Sequence, residues 1–147
     1  MKLFILTLLF VSALCTHAQE SVLKNTRSFL GTLSPELKSR AQYPFDDPER
    51  FTWNFVPIKR NGLTFYDFSE KQRVTAMTLL KSSLSGQGYQ KATAIIALED
   101  ILKVVEKRGP DDHYRDPMNY HLTIFGTPDV SKPWAWRFEG HHLSLNF

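Results

Sequence analysis

Cysteine is almost absent from this sequence: Cys15 is the only one, and it lies within the N-terminal apolar run. A chain that loses that run has no disulfide and no thiolate, which excludes cysteine nucleophiles and zinc–thiolate sites together. Long apolar runs are also lacking. The stretch Leu3 to Leu14 falls well short of the roughly 20 residues that cross a bilayer. Basic clustering is missing as well. The formal charge is +3, one unit of it carried by Lys2, and acidic residues are mixed among the lysines and arginines. This spacing speaks against nucleic-acid or membrane-surface binding. Glycine is too sparse and too scattered for a phosphate-binding fingerprint, since Gly86 and Gly88 have no strand before them. No serine sits in a nucleophile elbow, and no histidine pair has the helical zincin spacing.

What is present begins with an export signal. Met1-Lys2 supplies a positive start, Leu3 to Leu14 an apolar core, and Thr16-His17-Ala18 small residues at the cleavage positions. Residues 1–18 are therefore expected to be a signal peptide cleaved after Ala18, with the mature protein periplasmic or extracellular and free of the membrane. Lipidation of Cys15 would require a small residue at Leu14. Residues 19–147 then form a single domain that lacks disulfides and depends on its core. Aromatic residues make up 13% of the chain, most of them after Tyr43. That content suits a packed core, a sugar- or peptide-binding surface, or both.

Periodicity gives the elements. Val22, Thr26, Phe29 and Leu33 recur at helical spacing, and Ser34-Pro35-Glu36 starts a second short helix. Pro44, Pro48 and Pro57 forbid a helix, while Phe51, Trp53 and Phe55 alternate, so an extended segment crossing the core is expected. Asn61-Gly62 turns the chain into a short strand, Leu63 to Phe68. Ser69 with Gln72 forms a capping box. In the helix it opens, Val74, Met77 and Leu84 make one buried stripe, with Leu80 beside it. Ser85-Gly86-Gln87-Gly88 breaks that helix, and a second from about Tyr89 to Lys107 buries Ile95, Leu98, Leu102 and Val105, closing a helical hairpin. Strands are expected at Tyr120 to Phe125, Trp134 to Phe138 and His141 to Phe147, with a bend at Gly140. The fold class is α+β: N-terminal helices and a helical hairpin packed on an antiparallel β-sheet. Because the sequence stops at Phe147 inside an apolar strand, the domain is expected to be incomplete at its C-terminus.

The densest chemical cluster is Trp134 to His142. On a strand, Arg137, Glu139 and His141 share one face, and Trp136, Phe138 and His142 the other. His121 on the neighbouring strand comes within reach. His121, Glu139 and His141 make a workable first shell for a transition metal such as zinc, iron or copper. Without metal, the set His121, Arg137, Glu139, His141 and His142 suits acid–base work, with Arg137 holding an anionic group. The plainer alternative is an Arg137–Glu139 ion pair, with the histidines bonded to backbone. Trp134 and Trp136 are either a stacking platform for a sugar ring or sheet-packing residues. Asp111-Asp112-His113, with Arg115 and Asp116, has the composition of a hard-cation or polar-substrate loop without calcium-loop spacing. It reads as a solvated charge run.

Six motifs then follow in order: Trp53-Asn54-Phe55-Val56-Pro57, Arg60-Asn61-Gly62-Leu63, Gln72 to Gly88, Arg115-Asp116-Pro117, Phe125-Gly126-Thr127-Pro128 and Trp134 to His142. The series resembles the domain-of-unknown-function family 3500, whose members are exported or predicted proteins without an established activity. The resemblance covers roughly Phe29 to Phe147, and Gly140-His141-His142 is its most specific part. Ala135 departs from it, standing where the family pattern has glycine. The resemblance implies a longer protein, of which this chain is the N-terminal part and whose missing C-terminal half is a partner. It carries over no catalytic residue. Three classes stay open: an exported enzyme, with or without a metal, a carbohydrate- or peptide-binding module taking a small molecule or glycan, and a structural piece of a longer chain.

Overall fold

A computed structural model describes residues 19–147; the expected signal segment, 1–18, lies outside the described residues. The first described helix, α1, covers residues 19–31 and buries Thr26, Phe29 and Leu30. Thr26 sits in the core because its hydroxyl donates to Val22 O, 2.8 Å away. Ser34 caps α2 (Pro35–Ala41) by accepting from Leu37 N, and proline opens the helix where its missing N–H costs nothing. The chain passes directly from α2 into β1 (Gln42–Tyr43).

After a turn at Gly62, β2 (Leu63–Thr64) leads through a 3-10 turn into α3 (Glu70–Ser82). The expected capping box is there, with Ser69 and Gln72 each bonded to the other's backbone N–H. The break between the helices is shorter than expected. Ser85 accepts from Gly88 N and caps α4 (Gly86–Val105), so both glycines fall in the first helical turn, whose N–H groups lack helical partners anyway. The buried faces are also rotated from the expected stripes. Ala76, Leu79 and Leu80 of α3 and Ala92, Ile96 and Glu99 of α4 are buried, whereas Val74, Leu98 and Val105 are exposed. Ala76 and Ala92 both belong to the buried core, and the larger Val74 and Leu98 are left on the outer faces. No helix among the described residues is long and apolar enough to cross a membrane.

The sheet closes with β3 (His121–Phe125), β4 (Ala135–Gly140) and β5 (Leu143–Asn146), in the order β1-β3-β4-β5. β2 shares the β1 edge of β3, further towards its start. All pairings are antiparallel except β1 with β3, a two-residue parallel contact that α2 delivers. The class is α+β, and the sheet is mixed by that one contact. β3 is buried on both faces. One face carries Leu122, Ile124, Trp136 and Phe138 into the core with the helices. The other carries His121, Thr123, Arg137 and Glu139, and residues 44–62 cover it.

That covering segment is not a strand crossing the core. It contains a 3-10 turn, Pro48–Phe51, and leaves Phe51, Trp53 and Phe55 at 72%, 61% and 55% exposure. With prolines at 44, 48 and 57 it has fewer N–H groups to give a sheet. Its carbonyls are held by side chains instead: Arg137 donates to Glu49 O and Thr52 O, and Arg60 to Asn54 O and Val56 O.

Candidate functional site

Strand register sets the site. His121 pairs with Glu139 and Thr123 with Arg137, so the alternation expected from sequence does place His121, Arg137 and Glu139 on one face. Arg137 is the hub. Its Nε lies 2.6 Å from Glu139 Oε1, and its Nη2 meets Glu49 Oε1 in an ion pair. Glu49 also accepts from Asn61 Nδ2 at 2.7 Å. Arg60 reaches in from the covering segment, its side chain only 3% exposed. Its Nε stands 3.4 Å from Glu139 Oε2, too far for a good hydrogen bond, and that N–H is buried without a partner.

Burial dominates the electrostatics here. It pushes the Glu139 carboxyl above its ordinary range although Arg137 and Arg60 pull the other way. Burial, helped by the charge of Arg60, lowers His121 to about 4, so its imidazole is neutral near neutral pH. His121 Nε2 lies 3.1 Å from Asn119 Oδ1. Between the covering segment and β4 a cavity of about 310 Å³ opens over this network. Glu139 lines it from the sheet, and Glu49, Thr52, Asn54, Lys59, Arg60 and Asn61 line it from the covering segment. Every one of these side chains bears a hydrogen-bonding group.

His141 does not join them. The β4–β5 hairpin is tight, Gly140 pairing with Leu143, so His141 and His142 are turn residues rather than strand residues. His141 turns to the helix side, where its Nδ1 meets Glu99 Oε1 at 2.5 Å. A carboxylate only accepts and a guanidinium only donates. Nδ1 therefore donates to Glu99, and Nε2 accepts from Arg115 Nη1 at 2.8 Å. Arg115 is fixed in turn by two bonds to Glu106. Tyr120 closes the corner by donating to His141 O. His142 is exposed, its ring 3.9 Å from that of His141 and its φ at 54°.

The expected first shell of His121, Glu139 and His141 is thus split, because the turn carries His141 away to Glu99. Among the described residues no group of three His, Cys, Asp or Glu side chains is placed to hold a metal ion. Of the two tryptophans, Trp136 takes the sheet-packing role and Trp134 is half-buried. Trp136 is buried and its ring stacks on Phe147 at 4.5 Å. Trp134 and Trp136 line an apolar groove with Val22, Leu23 and Phe147. The exposed tryptophan is Trp53, its ring 5.8 Å from that of Phe55.

The 111–116 loop is not simply a solvated charge run either. Asp116 is buried, accepting from Met118 N and Tyr66 OH, with His113 Nδ1 2.7 Å away. Those bonds hold Asp116 below the usual carboxylate range and raise Tyr66 to about 12. Asp112 pairs with Arg108. Sequence reasoning missed Glu49, Arg60, Glu99 and Tyr120. Only Glu99 left a clear sign, an acidic residue three positions after Ile96 on a face that should be apolar.

The family model described as "Protein of unknown function (DUF3500)" matches residues 16–147. No curated protein and no solved structure matches the chain.

Proposed function

The chain belongs to this family of unknown function, DUF3500, and we propose that it is an exported protein that binds a carbohydrate in the polar cavity over Arg60 and Glu139. The observation that carries this reading is the lining: about 310 Å³ bounded wholly by side chains with hydrogen-bonding groups. A volume near the lower end of small-ligand pockets suits one sugar ring. Planar amides, carboxylates and guanidinium groups match the paired hydroxyls of a pyranose. Trp53 and Phe55, on either side of Asn54 in the chain, are exposed aromatic rings of the kind that accept the apolar side of a sugar. Export rests on the N-terminal charge, apolar run and Ala18.

Two measurements test the reading. A panel of mono- and oligosaccharides should contain ligands that bind in calorimetry, and Trp53→Ala and Asn54→Ala should each weaken that binding. A panel with no binder, or binding indifferent to both substitutions, overturns the reading. For export, N-terminal sequencing of the secreted protein should begin at Gln19, and a secreted chain retaining Met1 would refute the cleavage.

A second reading has one observation behind it. Glu49 and Glu139 both line the cavity, and burial raises the Glu139 carboxyl above its ordinary range. That pairing suits acid–base chemistry on the bound ligand. Turnover of a bound oligosaccharide, abolished by Glu139→Gln without loss of binding, would favour an enzyme.

A further inference from the structure

We propose that the ligand of this cavity carries a carboxylate, as uronic acids do, and that Lys59 at the rim selects it. The inference rests on the carbohydrate reading of the pocket and adds the charge of its ligand. The lining charges are almost all engaged within the protein. Glu49 is held by Arg137 and Asn61. Glu139 lies against Arg137 and Arg60. Arg60 donates to the carbonyls of Asn54, Val56, Ile58 and Gly140. Lys59 differs from all of these: among the described residues it has no hydrogen-bond or ion-pair partner, yet it lines the same cavity.

Two further features narrow the anion. The Arg60 guanidinium that lines the cavity adds a second positive charge, although its Nε lies beside Glu139 Oε2 and is sealed from solvent. Glu49 and Glu139 repel a dianion more strongly than a monoanion, which favours a carboxylate over a phosphate ester. Asn54 and Asn61 then face the ring hydroxyls, while the carboxylate points to the Lys59 ammonium. A neutral sugar makes the same hydroxyl contacts and lacks only that last one.

The experiment is calorimetric titration of the purified protein with D-glucuronate and D-galacturonate, and with D-glucose and D-galactose, including short oligomers of each. At low salt the acidic sugars should bind about two- to fivefold more tightly than their neutral counterparts, and the difference should shrink as salt is raised. Lys59→Gln should erase that preference, bringing acidic-sugar affinity down to that of the neutral counterpart measured on the same variant, and Lys59→Arg should keep most of it. Equal affinity for acidic and neutral sugars overturns the charge inference and leaves the pocket reading standing. A preference that survives Lys59→Gln removes Lys59 as its source and overturns the proposal. Binding to none of these sugars overturns the pocket reading and this inference with it.

Discussion

A methyl group on Gly140 would have nowhere to go. It would lie 2.4 Å from Tyr120 Cδ1 and 2.6 Å from Cε1. That ring cannot swing aside, because it stacks on Phe138 and its hydroxyl is bonded to His141 O. Gly140→Ala should therefore cost about 1–3 kcal/mol in chemical denaturation, the range for overpacking a filled core. A loss below about 0.5 kcal/mol, the scatter of neutral surface changes, would mean the Tyr120 contact is soft. His121 gives the residue-scale pH prediction. Its folded-state value of about 4 lies below the unfolded value of about 6.5, so the unfolded chain binds the proton first. Stability should be complete above about pH 6.5 and fall as pH drops towards 4, by up to about 3 kcal/mol. Glu139, raised by burial, pulls in the opposite sense above the ordinary carboxylate range. The measurement is therefore the difference between wild type and His121→Gln, whose denaturation should lose that slope; identical slopes would refute the assignment. The sharing of one face by Arg137 and Glu139, with His121 in reach on the next strand, was legible because strand alternation is rigid; the place of His141 was not, because the turn ends that alternation. Their partners were not, since Glu49 and Arg60 come from a segment whose path no periodicity describes.

Among the elements, those with local punctuation could be read from the sequence. The Ser69 and Gln72 capping box and the Ser34-Pro35 start are both where local chemistry puts them. Gln72 does more than cap: its Nε2 donates to Thr32 O and ties α3 to the end of α1. Ser69→Ala should cost about 1 kcal/mol as a lost cap, and Gln72→Ala more than Ser69→Ala, because it also leaves Thr32 O without this donor. A smaller loss for Gln72→Ala would show that the tether to Thr32 adds nothing. The helical stripes were misread because 3.6-residue spacing admits neighbouring phases, and tertiary packing chose the one that buries Glu99 against His141. The β4–β5 turn was misread for a similar reason. Gly140 looked like the bend, yet His142 takes the positive φ of 54°. Left-handed backbone costs a non-glycine residue roughly 1–2 kcal/mol. His142→Gly should therefore raise the melting temperature and His142→Val lower it. A destabilised glycine variant would reveal that the His141–His142 ring contact outweighs the backbone strain.

For the molecule as a whole, the open question is why a sheet already packed on helices buries a second, charged face. A segment with prolines at 44, 48 and 57 cannot give that face a full hydrogen-bonded ladder, so guanidinium groups do the fastening. Arg137 joins two carboxylates and two backbone carbonyls at once. Removing it alone strands Glu139 and Glu49 in a buried site, and breaking such a pair typically costs about 3–5 kcal/mol. Replacing both partners with apolar residues is often far milder. Arg137→Met should thus be severely destabilising, and Arg137→Met combined with Glu139→Leu should recover part of the stability. The two properties of the clasp separate here. The double variant restores an uncharged interior but leaves Glu49 O and Thr52 O without the Arg137 donor. Residues 44–62 should then lift from the sheet more readily, and limited proteolysis within them should be faster than in wild type even where denaturation shows recovered stability. A double variant as resistant to protease as the wild type would mean that Arg60 and the Phe55 O to His142 N–H bond hold the segment without Arg137.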